Sequence, residues 1–209
     1  QKKVLHYIKE QLGPTRLLIV PGMRGHIKQA LVQIGYPAED LGGYVVGEEL
    51  SIQLRLTTLS GKPFSLRHYQ QEAADIFHAG GSSRGGSGTI VLPCGAGKTI
   101  VGMAAMQQLQ TSTLILSPNT VAVRQWISEL LDKTSLTEDL IGEYSGLQKD
   151  IRPVTISTYQ IMTYRKRRAK KGGEPARGEG EYPHFQLFSA RNWGLIIYDE
   201  VHLLPAPVF

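Results

Sequence analysis

The sequence predicts an α/β fold built on a parallel sheet, preceded by a small α+β domain. Three observations predict it. Short apolar runs at Thr89–Leu92, Thr113–Leu116, Val154–Ser157 and Leu195–Tyr198 read as strands buried on both faces. Segments with helical spacing follow the first two runs, and such alternation marks a parallel sheet. The junction Thr89–Thr99, TIVLPCGAGKT, joins a strand to a helix through a glycine turn that ends in Lys-Thr, the composition of a phosphate-binding loop.

That loop is expected to organise the chain. Gly95 and Gly97 let the backbone turn sharply and bring its N–H groups close to an anion, which a Cβ would obstruct. The segment Pro93-Cys94-Gly95-Ala96-Gly97 then wraps a nucleotide's phosphates at a helix N-terminus. Lys98 is placed to reach the β/γ-phosphates and Thr99 to hold Mg²⁺. The full eight-residue pattern has a glycine where this chain has Leu92, so it is the core GxGKT that survives.

The bulk numbers bound the rest. A chain of 209 residues with 41% hydrophobic and 20% charged residues can bury a real core. No apolar run reaches the roughly 20 residues a membrane helix needs, and no signal-peptide pattern opens the chain. The single cysteine, Cys94, excludes an internal disulfide framework and suits a reducing, cytoplasmic setting. A net charge of +5 leans towards a polyanionic partner.

In chain order, residues 1–12 read as a helix stopped by Gly13-Pro14, Leu17–Val20 as a strand, and His26–Ile34 as a helix closed by Gly35. Tyr44–Val46 and Ile52–Leu56 alternate like strands. Residues 1–60 thus form the expected small α+β domain, and 61–209 the phosphate-loop lobe. A helix over 65–79 carries Arg67 and Gln70 on one face. They are either plain exposed polar residues or a phosphate contact and a bidentate reader of an adenine edge. Gly80–Gly88, GGSSRGGSG, is a flexible connector.

Beyond the loop, helices are expected over Ile100–Leu109 and Val123–Leu131. Ser117-Pro118-Asn119, at the carboxyl end of a strand, reads either as a helix cap or as a nucleic-acid phosphate contact. Residues 165–183 read as one long mobile loop. Its start, RKRRAKK, holds six cations in seven positions, either a solvated face or a phosphate-backbone contact. Asp199-Glu200-Val201-His202 follows the last strand, where a carboxylate is needed for Mg²⁺.

LRHYQ (66–70), LPCGAGKT (92–99), SPNTVAVRQW (117–126), ISTYQ (156–160) and DEVH (199–202) together resemble superfamily 2 helicases in order and spacing. With VRQW and YDEVHLLPA the chain looks most like the bacterial form of the xeroderma pigmentosum group B DNA repair helicases, and GYPAEDLGGYVVGEEL is similar to their amino-terminal damage-recognition-like domain. The resemblance implies a RecA-like lobe and the amino-terminal half of an ATP-dependent DNA helicase or translocase. It implies that Gly95, Gly97, Lys98 and Thr99 bind ATP and Mg²⁺, that Asp199 holds the same ion, and that Glu200 activates the attacking water. Arg67 and Gln70 would sit at the adenine side. Ser117, Pro118, Asn119, Arg124, Thr158 and Tyr159 would lie along one DNA strand, single or at a fork, and His202 would couple the nucleotide site to the motor.

The family's motif III, second RecA-like lobe and arginine fingers would follow Phe209, so the chain alone is expected to bind ATP without appreciable turnover. In the family's strand order, the motif III strand lies between Thr89–Leu92 and Leu195–Tyr198; without it, that slot is a gap or takes a filler. Two other readings are a different superfamily 2 motor, such as a restriction-enzyme translocase subunit, and a nucleotide- or DNA-binding fragment without turnover. A repair or nuclease partner is left unidentified.

Overall fold

The computed structural model describes residues 2–21, 23–36, 38, 46–81, 85–167 and 180–204. The chain divides into two units, Gln1–Gly43 and Tyr44–Phe209.

The first unit runs α1 (Lys2–Leu5), β1 (Ile8–Gly13), β2 (Arg16–Ile19) and α2 (Arg24–Gln33). The helix expected over 1–12 breaks after Leu5, because Ile8–Gly13 finds a better partner in an antiparallel hairpin with Arg16–Ile19. Gly13-Pro14, read as a helix stop, is the approach to the hairpin turn. α2 forms as expected and is followed by Gly35 at φ 81°, a left-handed position that glycine fills without strain.

The second unit contains α3 (His68–His78), α4 (Lys98–Leu109), β3 (Thr113–Ser117), α5 (Thr120–Lys133), β4 (Ile141–Tyr144), β5 (Val154–Thr158), α6 (Tyr159–Met162), β6 (Lys166–Arg167), β7 (Gly180–Glu181) and β8 (Leu195–Tyr198). Four strands form one parallel sheet in the order β4-β5-β3-β8. β3 and β5 are buried at every residue, as their continuous apolar runs require. Ile115 and Ile156 join Met103 and Met106 of α4 and Val123, Trp126 and Leu130 of α5 in one core. Leu114 and Leu116 point the other way, into a second core with Tyr159, Met162 and Leu187. This is the α/β sheet with helices that the sequence predicts. β4 carries little apolar signal in IGEY and has no counterpart in the sequence reading.

Residues 46–60 belong to this unit and not to the amino-terminal one. Ile52 is fully buried in the α4–α5 core, a burial worth about 1.5–3 kcal/mol. The segment expected as a strand over Ile52–Leu56 is extended but joins no sheet. Glutamine side chains at and just past the end of α4 supply acceptors: Ile52 N–H donates to Gln110 Oε1 at 3.1 Å, and Leu54 N–H to Gln107 Oε1 at 2.6 Å. The expected strand Tyr44–Val46 begins outside the described residues.

Two further expectations need correction. Thr89–Leu92 forms no strand, and Val91 is 86% exposed. A strand exists only where a neighbour shares its hydrogen bonds. Residues 88–92 instead face β8 across a cavity of about 620 Å³, and no described strand lies in that slot. β8 is therefore a sheet edge. The loop expected over 165–183 has a structured root, since Lys166–Arg167 pairs antiparallel with Gly180–Glu181. Arg165 stacks its guanidinium 4.7 Å from the ring centre of Tyr182. The rest of the cationic run, 168–171, lies outside the described residues, as does Arg84 of the connector.

Candidate nucleotide-binding site

The site begins with the turn before α4. Gly95 and Gly97 both lie at positive φ, 77° and 80°, so the loop needs glycine at both. Ala96 N–H donates to the Pro93 carbonyl at 3.2 Å, closing the turn. Gly97 is the N-cap of α4, with Lys98 and Thr99 as its first residues. N–H groups of a first helical turn lack intrahelical acceptors, so they point outward towards an anion. Cys94 is an exposed free thiol in the same turn.

α3 clamps this loop from the side. Gln70, only 5% exposed, accepts the Arg67 N–H at 3.0 Å through Oε1 and donates to the Ala96 carbonyl at 2.9 Å through Nε2. Tyr69 Oη donates to the same carbonyl at 2.7 Å, and Arg67 Nη1 donates to Tyr69 Oη at 3.2 Å. A Cβ at Gly97 would come within 2.6 Å of the Gln70 amide. Both ends of that amide are engaged by protein, which makes Gln70 the brace of the phosphate loop, and Tyr69 shares the task.

Across the cavity, Asp199 and Glu200 follow β8. Asp199 is held at three atoms. Its N–H donates to the Leu116 carbonyl at 2.8 Å, its carbonyl accepts Tyr159 Oη at 2.7 Å, and Oδ2 accepts the Trp126 indole N–H at 3.0 Å. Glu200 adopts left-handed backbone angles, φ 51° and ψ 51°, uncommon for a residue with a Cβ and costing on the order of 1 kcal/mol. Its carboxylate lies 2.5 Å from Lys98 Nζ, with both side chains about one-third exposed. The hydrogen bond from Lys98 holds the Glu200 carboxyl below its usual range, and Glu200 in turn raises the Lys98 ammonium above its own. His202 Nδ1 lies 3.4 Å from the other Glu200 oxygen. Lys98, Asp199, Glu200 and His202 thus line one cleft with Cys94.

The residues expected along a DNA strand separate into two groups. Asn119 and Arg124 are exposed and Pro118 is half-buried. Asn119 also caps α5, accepting the Ala122 N–H at 2.9 Å, so the cap reading holds for its side chain. Ser117, Thr158 and Tyr159 are buried. Thr158 Oγ1 caps α6, and burial, helped by the Asp199 charge, pushes the Tyr159 phenol far up. Of the three, Tyr159 reaches Asp199, donating its hydroxyl to the Asp199 carbonyl.

The donor set fits a nucleotide with a hard cation. A glycine cradle, a lysine, a threonine at a helix start and a fixed carboxylate supply anion donors and oxygen ligands. No cluster of three or more metal-ligating side chains occurs among the described residues, and a Mg²⁺ shared with phosphate oxygens needs none.

A glycine turn opening a helix, set against a carboxylate pair at the end of a parallel strand, is the arrangement of phosphate-loop proteins. The chain belongs to the family described as type III restriction enzyme, res subunit, whose sequence model matches residues 63–208. It is 53% identical to the DNA 3'-5' helicase XPB of Mycobacterium tuberculosis over 208 residues, covering 100% of this chain and 34% of that protein. It is likewise 53% identical over 199 residues to the DNA 3'-5' helicase XPB of Kineococcus radiotolerans, covering 95% of this chain and 32% of the relative. The chain therefore spans about a third of the length of these curated relatives. The crystal structure of the UvsW helicase from bacteriophage T4 matches at TM-score 0.52 and 22% identity, covering 94% of this chain and 67% of that one. This likeness supports the RecA-like fold.

Proposed function

We propose that the second unit is the ATP- and Mg²⁺-binding lobe of an ATP-dependent DNA helicase active in DNA repair. The convergence of Lys98 with Asp199 and Glu200 on one cleft carries this reading. The loop amides from Gly95 to Thr99 and the Lys98 ammonium hold the phosphates, while Thr99 and Asp199 hold the ion. Mg²⁺ supplies charge neutralisation between the phosphates. Glu200, kept ionised by Lys98, is the base for the attacking water. A phosphate arriving at Lys98 competes with Glu200 for the ammonium, so binding nucleotide also frees the base. His202 reads that exchange from the other Glu200 oxygen. Arg67 lies at the adenine side of the same loop.

The DNA partner is taken up at the exposed amino-terminal end of α5, through the side chains of Asn119 and Arg124, helped by the cationic run at 165–171. The 3'-5' direction in the names of the relatives is the direction expected here. Residues 1–43 correspond to the damage-recognition-like portion. A carboxy-terminal lobe is the required partner for hydrolysis, and the cytoplasm is the expected setting. No described helix is long and apolar enough to cross a membrane.

Steady-state hydrolysis measured with and without single-stranded DNA tests this reading. The chain alone is expected to turn over little ATP, and the chain joined to a carboxy-terminal lobe to show DNA-stimulated hydrolysis. Hydrolysis indifferent to DNA would contradict the motor reading. The description of the matched family favours a second reading, a restriction-type translocase. Translocation on duplex DNA without strand separation would decide for it.

A further inference from the structure

Trp126 lies midway along α5 and is 2% exposed. Its ring packs over α4, where a Cβ on Gly102 would come within 2.7 Å of Trp126 Cη2 and 3.4 Å of Ile197 Cδ1. Glycine at 102 is therefore what lets the indole settle between α4 and β8. From that seat Nε1 donates to Asp199 Oδ2 at 3.0 Å. An indole N–H can only donate, so its buried partner must be an acceptor. Many acceptors would serve a core tryptophan; here the acceptor is the carboxylate assigned to the metal.

We propose that Trp126 is a positioning residue for Asp199, resting on the reading that Asp199 holds Mg²⁺. The Leu116 carbonyl and the Tyr159 hydroxyl fix the Asp199 backbone on both sides. The torsions of the carboxylate remain, and the Trp126 N–H sets them. With Oδ2 taken, Oδ1 is the oxygen presented to the ion, without a rotamer search on binding. A phenylalanine at 126 would keep an apolar ring in the core and lose only the donor and part of the ring area. The role is thus separable from packing.

Two measurements on the 209-residue chain test it. In the first, Mg²⁺ is titrated at fixed ATP and thermal stabilisation is followed in the parent, Trp126→Phe and Asp199→Asn. Loss of a hydrogen bond that orients a metal ligand lowers metal affinity by on the order of 10-fold. The half-saturating Mg²⁺ concentration is expected to rise by that factor in Trp126→Phe, with stabilisation by ATP in chelator unchanged relative to each variant's own baseline. A folded Trp126→Phe with the parental half-point overturns the proposal. A parental half-point in Asp199→Asn instead overturns the assignment of the metal to Asp199, on which the proposal rests. In the second, needing no substitution, the Trp126 Nε1–H resonance is followed as Mg²⁺ is added to the ATP-saturated chain. A shift saturating with the metal supports the proposal, and a resonance indifferent to Mg²⁺ overturns it even if Trp126→Phe does not fold.

Discussion

A Lys98→Ala variant is expected to melt close to the parent and to lose most of the stabilisation by Mg²⁺-ATP. The two halves of that result have different causes. Lys98 is about one-third exposed and contributes no apolar core, and its partner Glu200 is exposed to the same degree. Solvent-screened ion pairs of this kind add little to stability, so the loss of this one costs little. The nucleotide, in contrast, loses the one side-chain cation that the loop directs at its phosphates. A charged hydrogen bond is worth about 1.5–3 kcal/mol, which sets the fall in affinity at no less than about 10-fold. Thermal melting with and without Mg²⁺-ATP measures both halves. Equal stabilisation of parent and variant would remove the phosphate-loop assignment.

Asp199→Asn and Glu200→Gln are expected to fail in different steps although the residues are adjacent. Asp199 is fixed by the Leu116 carbonyl, the Tyr159 hydroxyl and the Trp126 indole, as suits a ligand that must not move. The Glu200 carboxylate is met from the cleft side, by Lys98 and His202. Asp199→Asn should weaken the metal-dependent part of ATP binding. Glu200→Gln removes a competitor for Lys98, so Mg²⁺-ATP affinity should stay level or rise slightly. Hydrolysis in the protein with both lobes should fall by about 10²-fold or more, the scale of a lost general base. Direct binding and single-turnover hydrolysis separate the two. Identical binding by the two variants would show that the roles are not divided this way.

How much of this was legible in the sequence depended on whether the signal was local. β3, β5 and β8 announce themselves as apolar runs, and the GxGKT turn specifies its own backbone through two glycines at positive φ. Thr89–Leu92 carries an equally good strand pattern and forms none, because a strand also needs a neighbour on the sheet. Ile8–Gly13 failed for the converse reason: its partner, Arg16–Ile19, lies just across a turn and outweighs helical spacing. In the site, Lys98, Asp199 and Glu200 follow from residue type and position. The braces do not. That Gln70 holds the Ala96 carbonyl, that Tyr159 lies beneath Asp199, and that Trp126 donates to its carboxylate are long-range contacts between apolar or ambiguous residues. Burial decided each of them, and burial is a property of the assembled sheet.

The central claim is that this cleft binds one nucleotide through phosphate and metal. Calorimetric titration of ATP into the 209-residue chain, with Mg²⁺ and with chelator, tests it most directly. Saturation at one ATP per chain, tighter with Mg²⁺ than without, is the expected result. No saturable binding, or binding of equal affinity with and without Mg²⁺, would contradict it.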